Sequence, residues 1–115
     1  MLAAVDSCTL AGLHVRRVEV QAHIANGEVK FLLVGMAATS VKEARERVRS
    51  AIKNSGLEFP GKRLTVNLAP AELRKEGSRL DLPIAVSIAL ARAGRTPPPN
   101  TAFLGELAQI GRAHV

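Results

Sequence analysis

Two stretches of the first 70 residues carry the alternation of apolar and polar positions that is typical of β-strands. Residues 15–24 are rich in β-branched side chains and partly alternate, and residues 63–68 alternate cleanly before Pro70. Asn26-Gly27 is a hairpin-turn signal that stands before the apolar run 31–34. We predict that residues 15–24 and 31–34 form two antiparallel strands joined by this turn, with further strands around residues 4–10 and at 63–68.

A helical spacing of apolar residues begins near residue 40. Ser40 and Glu43 form a capping-box pattern, and Gly56 is expected to end the helix. The apolar positions predicted to form its buried face are Val41, Ala44, Val48, Ala51 and Ile52.

A second helix is expected after Asp81. The run to Arg92 carries only Ser87 as a polar interruption, which predicts a helix buried on most sides. The proline-rich residues 96–100 predict an extended loop, and Phe103-Leu104 predicts a short final strand. The order of strands, helix, strand, helix and strand indicates an α+β or split βαβ layer fold.

Composition places this pattern in one small globular domain. The chain has 115 residues, of which 47% are hydrophobic, and a net charge of +6 that favours an anionic partner. Cys8 is the only cysteine, so a disulfide framework is excluded. The first residues lack the pattern of a signal peptide, and no apolar run is long enough to cross a membrane, so we expect a cytoplasmic protein without membrane contact.

The basic charge is concentrated in the centre of the chain, where residues 42–79 hold ten basic and five acidic side chains. At 100° per residue, four basic residues of the first helix fall within about 80°, a geometry that could follow a phosphate backbone. The alternative is an ordinary solvated face, with Glu43–Arg47 and Lys42–Glu46 pairs at i,i+4 spacing. Only three aromatic residues are present, all phenylalanine, which argues against an aromatic platform for stacked bases. The candidate nucleic-acid contacts are Lys42, Arg45, Arg49, Lys53, Lys75 and Arg79.

No catalytic, cofactor or metal site is predicted in this chain. The glycine-rich phosphate loop that ends in Lys-Ser or Lys-Thr is absent, and the histidines lack metal-ligand spacing. Ser78 lies three residues after Lys75, and a serine with a lysine base is a known nucleophilic arrangement, but a turn serine is the favoured interpretation.

Several segments stand in a fixed order along the chain: VKEARERVRSAI (41–52), EFP (58–60), TVNLAP (65–70), KEG (75–77) and DLPIA (81–85). Together they resemble one family, the N-terminal domain of the YifB/ComM group of magnesium-chelatase-like AAA+ ATPases. The resemblance implies an α+β fold of the ribosomal S5 domain 2-like (Lon-protease-like) type, with a mixed sheet of about four to five strands packed against two helices. It also implies a missing AAA+ motor that uses ATP and Mg²⁺, forms a homo-hexamer and, in ComM, migrates DNA branches during natural transformation.

The same resemblance implies an accessory role in oligomer assembly or DNA engagement, and no catalysis by this chain. Residues 75–79 are similar to the active-site stretch of Lon-like proteases, but Arg79 stands where the nucleophilic serine is expected and Ser78 is one position early, which disfavours a peptidase. A module of a true magnesium chelatase and a purely structural interaction domain are two competing interpretations. The loop 36–39 departs from the family pattern.

The final residues depart from the family pattern more sharply than the loop 36–39 does. We expect the domain to cover residues 1–108, truncated at its C-terminal edge. Residues 109–115 are interpreted as a non-native tail that arose by reading into a sequencing adapter.

Overall fold

A mixed sheet and two helices make up the computed structural model, which describes residues 1–73, 75 and 78–107. Residues 109–115, the predicted tail, lie outside the described residues. The elements in chain order are β1 (Leu2–Ala11), β2 (His14–Ala25), β3 (Lys30–Val34), α1 (Ala38–Asn54), β4 (Arg63–Ala69) and α2 (Asp81–Ala93).

The four strands lie in the order β1-β2-β4-β3. β2 pairs antiparallel with both β1 and β4, whereas β3 pairs parallel with β4. Alternate residues of every strand are buried on one face, as in β4, where Leu64, Val66 and Leu68 point inward. Both helices pack on that face, and the opposite face is open to solvent. The expected α+β class is confirmed.

The predicted hairpin between β2 and β3 is wrong, because β4 lies between these two strands. A two-residue turn of the kind that Asn-Gly favours needs a positive φ at both central positions. Gly27 has φ +141°, and Asn100 is the one non-glycine residue with positive φ in the described part of the chain, so Asn26 does not meet this requirement. The tight two-residue connection is instead Gly12-Leu13 between β1 and β2, where Gly12 has φ +64°.

Helix α1 begins at Ala38, two residues before the predicted capping box. Ala37 is the N-cap residue and has no side-chain hydrogen bond, so the Ser40 cap is wrong. The amide of Ala37 instead donates to the carbonyl of Lys75 at 2.8 Å. The predicted apolar face is confirmed, since Ala44, Val48, Ala51 and Ile52 are buried and Val41 packs against the core.

An ion pair that sequence did not predict joins the two helices. Arg47 donates from Nε and Nη2 to the two carboxylate oxygens of Asp81 at 2.6 and 3.1 Å. The side chains are 10% and 0% exposed, and Glu43 approaches Arg47 Nη1 at 3.8 Å from the solvent side. Burial raises the pKa of Asp81, while the hydrogen bonds from Arg47 act in the opposite direction.

The segment after α2 returns across the first strand. The short strand expected at Phe103-Leu104 is reduced to one parallel bridge between Asp6 and Ala102, and the Phe103 amide donates to the Asp6 carbonyl at 2.8 Å. The amide of Leu107 lies 3.4 Å from Asp81 Oδ2, which ties this segment to α2 as well.

Gly35 ends β3 at a point where no side chain fits. Its φ is +97°, and a Cβ atom there would lie 2.3 Å from the carbonyl oxygen of Leu68. The close approach lets the chain leave β3 and enter α1 directly beside β4. Within the described residues, no helix has the length and apolar character needed to cross a membrane.

Candidate nucleic-acid interface

Two basic residues of α1 contact β3, the strand at one edge of the sheet. Arg45 Nη1 donates to the backbone carbonyl of Phe31 at 3.2 Å, and the Arg49 guanidinium lies over the ring of Phe31. Since Lys42 and Lys53 share this side of the helix, the four cations form a row along β3. We call this row, Lys42, Arg45, Arg49 and Lys53, the β3-edge surface.

An open groove lies at one end of the β3-edge surface. Its volume is about 380 Å³, and its wall holds three cationic side chains and two aromatic rings. No carboxylate is among the lining residues in the part of the chain that the structure describes. The lining residues are Val29, Lys30, Phe31, Arg49, Lys53, Phe59, Pro60 and Gly61.

The two aromatic rings of the groove support Arg49. Phe31 and Phe59 have ring centroids 5.3 Å apart, inclined at 49°, and the guanidinium carbon of Arg49 lies 5.3 Å from the Phe59 centroid and 5.9 Å from that of Phe31. These are cation–π distances. Glu58, next to Phe59, is engaged with Arg92 of α2 and does not line the groove.

The sequence did not reveal this aromatic pair. Phe31 and Phe59 are far apart in the chain and lie on a strand and in a loop, so no local spacing links them. The low aromatic content argues against stacking, yet two of the three phenylalanines meet at one cation. The motif EFP (58–60) stands out in the sequence only through the family resemblance.

The alternative interpretation, in which α1 carries an ordinary solvated face with paired charges, is confirmed only in part. Glu43 approaches Arg47 as expected, but Arg47 turns to the buried Asp81 and contributes no free charge. Lys42 and Glu46 form no ion pair, although both lie in the described part of the helix. Arg49 and Lys53 likewise have no carboxylate partner among the described residues. The β3-edge surface therefore keeps its positive charge uncompensated.

Two of the six candidate contacts do not belong to this surface. Lys75 is 2% exposed, and its ammonium donates to the carbonyls of Pro70 and Leu73 at 2.5 and 2.6 Å. The prediction that Lys75 contacts nucleic acid is wrong, because the loop carbonyls hold it inside and burial lowers its pKa. Arg79 is exposed, but it lines a pocket with Leu10 of β1, at the opposite edge of the sheet.

The Ser78 and Lys75 arrangement does not form a catalytic pair. Ser78 Oγ donates to Glu106 Oε1 at 2.6 Å, while the Lys75 ammonium is directed at backbone carbonyls. A lysine base must be within hydrogen-bond reach of the hydroxyl that it activates. Neither group is placed for that role. Across residues 1–73, 75 and 78–107, no cluster of three or more histidine, cysteine or carboxylate side chains could hold a metal ion.

Comparisons with known proteins assign the chain to a family. The family described as "Subunit ChlI of Mg-chelatase" matches residues 20–114. The chain is 48% identical over 112 residues to the uncharacterized protein YifB of Salmonella typhimurium, and 44% identical over 113 residues to the competence protein ComM of Haemophilus influenzae. It is 38% identical over 108 residues to the uncharacterized protein Mb2921c of Mycobacterium bovis.

These matches cover most of this chain but little of each relative. They take in 96% of the chain for YifB and ComM, and 92% for the mycobacterial protein. In all three cases they span 22% of the relative's length. On the extent of the family match, the chain belongs to the family of the magnesium-chelatase subunit ChlI, in the branch that contains YifB and ComM.

Proposed function

We propose that this chain is a DNA-engaging accessory domain of a magnesium-chelatase-like AAA+ ATPase that remodels branched DNA in the cytoplasm. The motor, with its ATP, Mg²⁺ and hexameric assembly, belongs to the part of the protein outside this chain. The observation that carries the proposal is the β3-edge surface, where four cations of one helix stand beside a sheet edge without a paired carboxylate among the described residues. The name of the relative ComM, a competence protein, supports a role in DNA handling.

The dimensions of the β3-edge surface suit a phosphate backbone. From Lys42 to Lys53, the helix rises roughly 16 Å at 1.5 Å per residue. Duplex DNA advances about 3.4 Å per step along each strand, so the row covers on the order of five steps. Arg45 is held by the Phe31 carbonyl and Arg49 by two rings, so less side-chain freedom is lost on binding than for unsupported cations.

The test is fluorescence anisotropy of labelled single-stranded, duplex and four-way-junction DNA, titrated with the whole chain across salt concentrations. With three or four phosphate contacts, the logarithm of the affinity for duplex should fall with the logarithm of salt with a slope of about −3. Arg49→Glu should flatten that slope by about one unit and weaken binding to all sequences alike.

The matched control is Arg16→Glu, which changes the net charge by the same amount. Arg16 is exposed on β2 near the turn to β1, beyond the part of β2 that pairs with β4 and away from β3. Equal losses in both variants would mean that net charge alone drives association, and the proposed interface would be wrong. Absence of salt-dependent binding to any of the three DNA forms would also reject it.

A second candidate function is assembly, which the exposed end of the β1–β2 hairpin favours. Leu10, Leu13 and Val15 are 59%, 99% and 68% exposed at this end. Under this candidate the hairpin contacts a second copy of the chain, and sedimentation velocity should show concentration-dependent self-association that Leu13→Asp abolishes. DNA affinity that is unchanged by Leu13→Asp would separate the two functions.

A further inference from the structure

The groove beside β3 combines a supported planar cation with the half-buried ring of Phe59, which packs on the core residue Phe31, itself only 5% exposed. Arg49 is exposed, yet its guanidinium lies over Phe59 and Phe31 at 5.3 and 5.9 Å. Arginine guanidinium planes and aromatic rings are the two kinds of surface on which proteins stack unpaired bases. Here both occur at one place, with no carboxylate bound to the guanidinium among the described residues.

Two further cations flank this stacking surface. Lys30 and Lys53 both line the groove, Lys30 from the edge strand and Lys53 from the last turn of α1. Lys30 is 3.6 Å from Glu28, a long contact between exposed side chains that gives little stability. The groove thus offers ammonium groups next to a stacking surface, as a phosphate and its attached base would require.

The volume of the groove sets the size of the ligand. Ligand pockets have volumes of about 300–1,000 Å³, and the groove, at about 380 Å³, is near the lower limit. It can hold one small unit rather than a folded segment. Its lining is open to solvent on one side, so a polymer can pass over it and place a single residue inside.

We propose that this groove binds one unstacked nucleotide of single-stranded DNA, with the base against Arg49 and Phe59 and an adjacent phosphate beside Lys30 and Lys53. The proposal rests on the proposed function and deepens it, because it names the form of DNA that the β3-edge surface prefers. In a duplex each base is covered by its neighbours, so only an unpaired strand can use the aromatic part of the groove. An acidic peptide would pair with the cations but would leave the ring of Phe59 uncovered.

The experiment separates the base from the phosphate. Two labelled oligomers of about ten units, within the length that single-strand sites occupy, are titrated against the whole chain at one salt concentration. One is oligo-dT, and the other has the same sugar-phosphate backbone without bases. Because stacking contributes on the order of 1–3 kcal/mol per base, oligo-dT should bind roughly 5- to 150-fold more tightly.

Arg49→Lys then tests the residue. It keeps the positive charge and removes the planar group, so the affinity for oligo-dT should fall to that for the abasic oligomer, while abasic binding stays within about twofold. Arg16→Lys is the control and should leave both affinities unchanged. Phe59→Leu, whose folding is checked by its thermal midpoint, should give the same loss as Arg49→Lys.

The outcomes distinguish this proposal from the one on which it rests. Equal affinity of the two oligomers, with a salt slope that Arg49→Glu still flattens, would overturn base stacking and leave the phosphate interface standing. No binding of either oligomer or of duplex would overturn both. Displacement of the abasic oligomer by a poly-glutamate peptide of equal length, with no preference for oligo-dT, would identify the groove as an acidic-peptide site instead.

Discussion

The buried pair of Arg47 and Asp81 gives the sharpest prediction for stability. In the variant Arg47→Met, Asp81 stays fully buried and keeps only the amide of Leu107 at 3.4 Å as a described hydrogen-bond partner. Removing one partner of a buried ion pair costs about 3–5 kcal/mol. Loss of Arg47 should cost more than loss of Asp81, because Arg47 without Asp81 would still have Glu43 at 3.8 Å on its solvent side.

The size of the effect is measurable by urea or thermal unfolding. A loss of about 4 kcal/mol is a large part of the 5–15 kcal/mol that stabilises a typical domain. For 115 residues, at about 2.1 cal/mol/K per residue, it lowers the midpoint by roughly 16 °C. The double variant with Arg47→Met and Asp81→Leu should regain most of this loss, since no charge is left buried.

The penalty of Arg47→Met should also depend on pH. Burial raises the pKa of Asp81, and loss of the Arg47 hydrogen bonds raises it further. The folded variant therefore binds a proton more readily than the unfolded chain, so its stability falls as pH rises. A midpoint lowered by less than about 4 °C, which corresponds to 1 kcal/mol, or a double variant less stable than Arg47→Met, would refute the reasoning.

Two further predictions concern residues that lie against backbone carbonyl groups, Lys75 and Gly35. Lys75→Met removes an ammonium whose pKa is lowered by burial, so the folded wild type releases this proton at a lower pH than the unfolded chain does. The stability of the wild type relative to the variant should therefore increase as pH rises toward 10.5. Urea midpoints of both proteins at several pH values measure this difference, and a difference that stays constant with pH would contradict the prediction. Gly35→Ala places a methyl group 2.3 Å from the carbonyl oxygen of Leu68, at a residue with positive φ, so the free energy of unfolding should fall by about 3 kcal/mol or more. Thermal unfolding measures this loss, and Gly61→Ala, where a methyl group meets no atom within 4 Å, is the control.

The strand and helix with a periodic apolar pattern were predicted correctly, whereas the capping box of α1 and the order of the strands were not. The alternation in β4 and the apolar face of α1 depend on neighbouring residues alone, and both are confirmed. The neighbour of β2 depends on where α1 carries the chain after β3. Helix α1 brings the chain back so that β4 runs parallel to β3. As a result β4 lies beside β2, in the position that the Asn26-Gly27 signal predicts for β3.

The candidate site shows the same division between local and tertiary information. On a helical projection, the β3-edge cations flank one side of the apolar face and Arg47 flanks the other, about 40° beyond Ala51. The sequence places charges on both sides but does not say which side meets Asp81 and which meets solvent. Lys75 is in a polar loop by composition, and only the folded carbonyls of Pro70 and Leu73 make it a buried residue.

The strand order also sets the sequence in which pairing partners become available during synthesis on the ribosome. β1 and β2 can pair once residue 25 has emerged, but β3 has no native neighbour until β4, about 30 residues later, is complete. When β4 arrives, it must enter between two strands that are already present. The edges of β2 and β3 that will pair with β4 therefore stay open until residue 69 leaves the exit tunnel. During this interval, mispairing of β2 with β3 competes with folding.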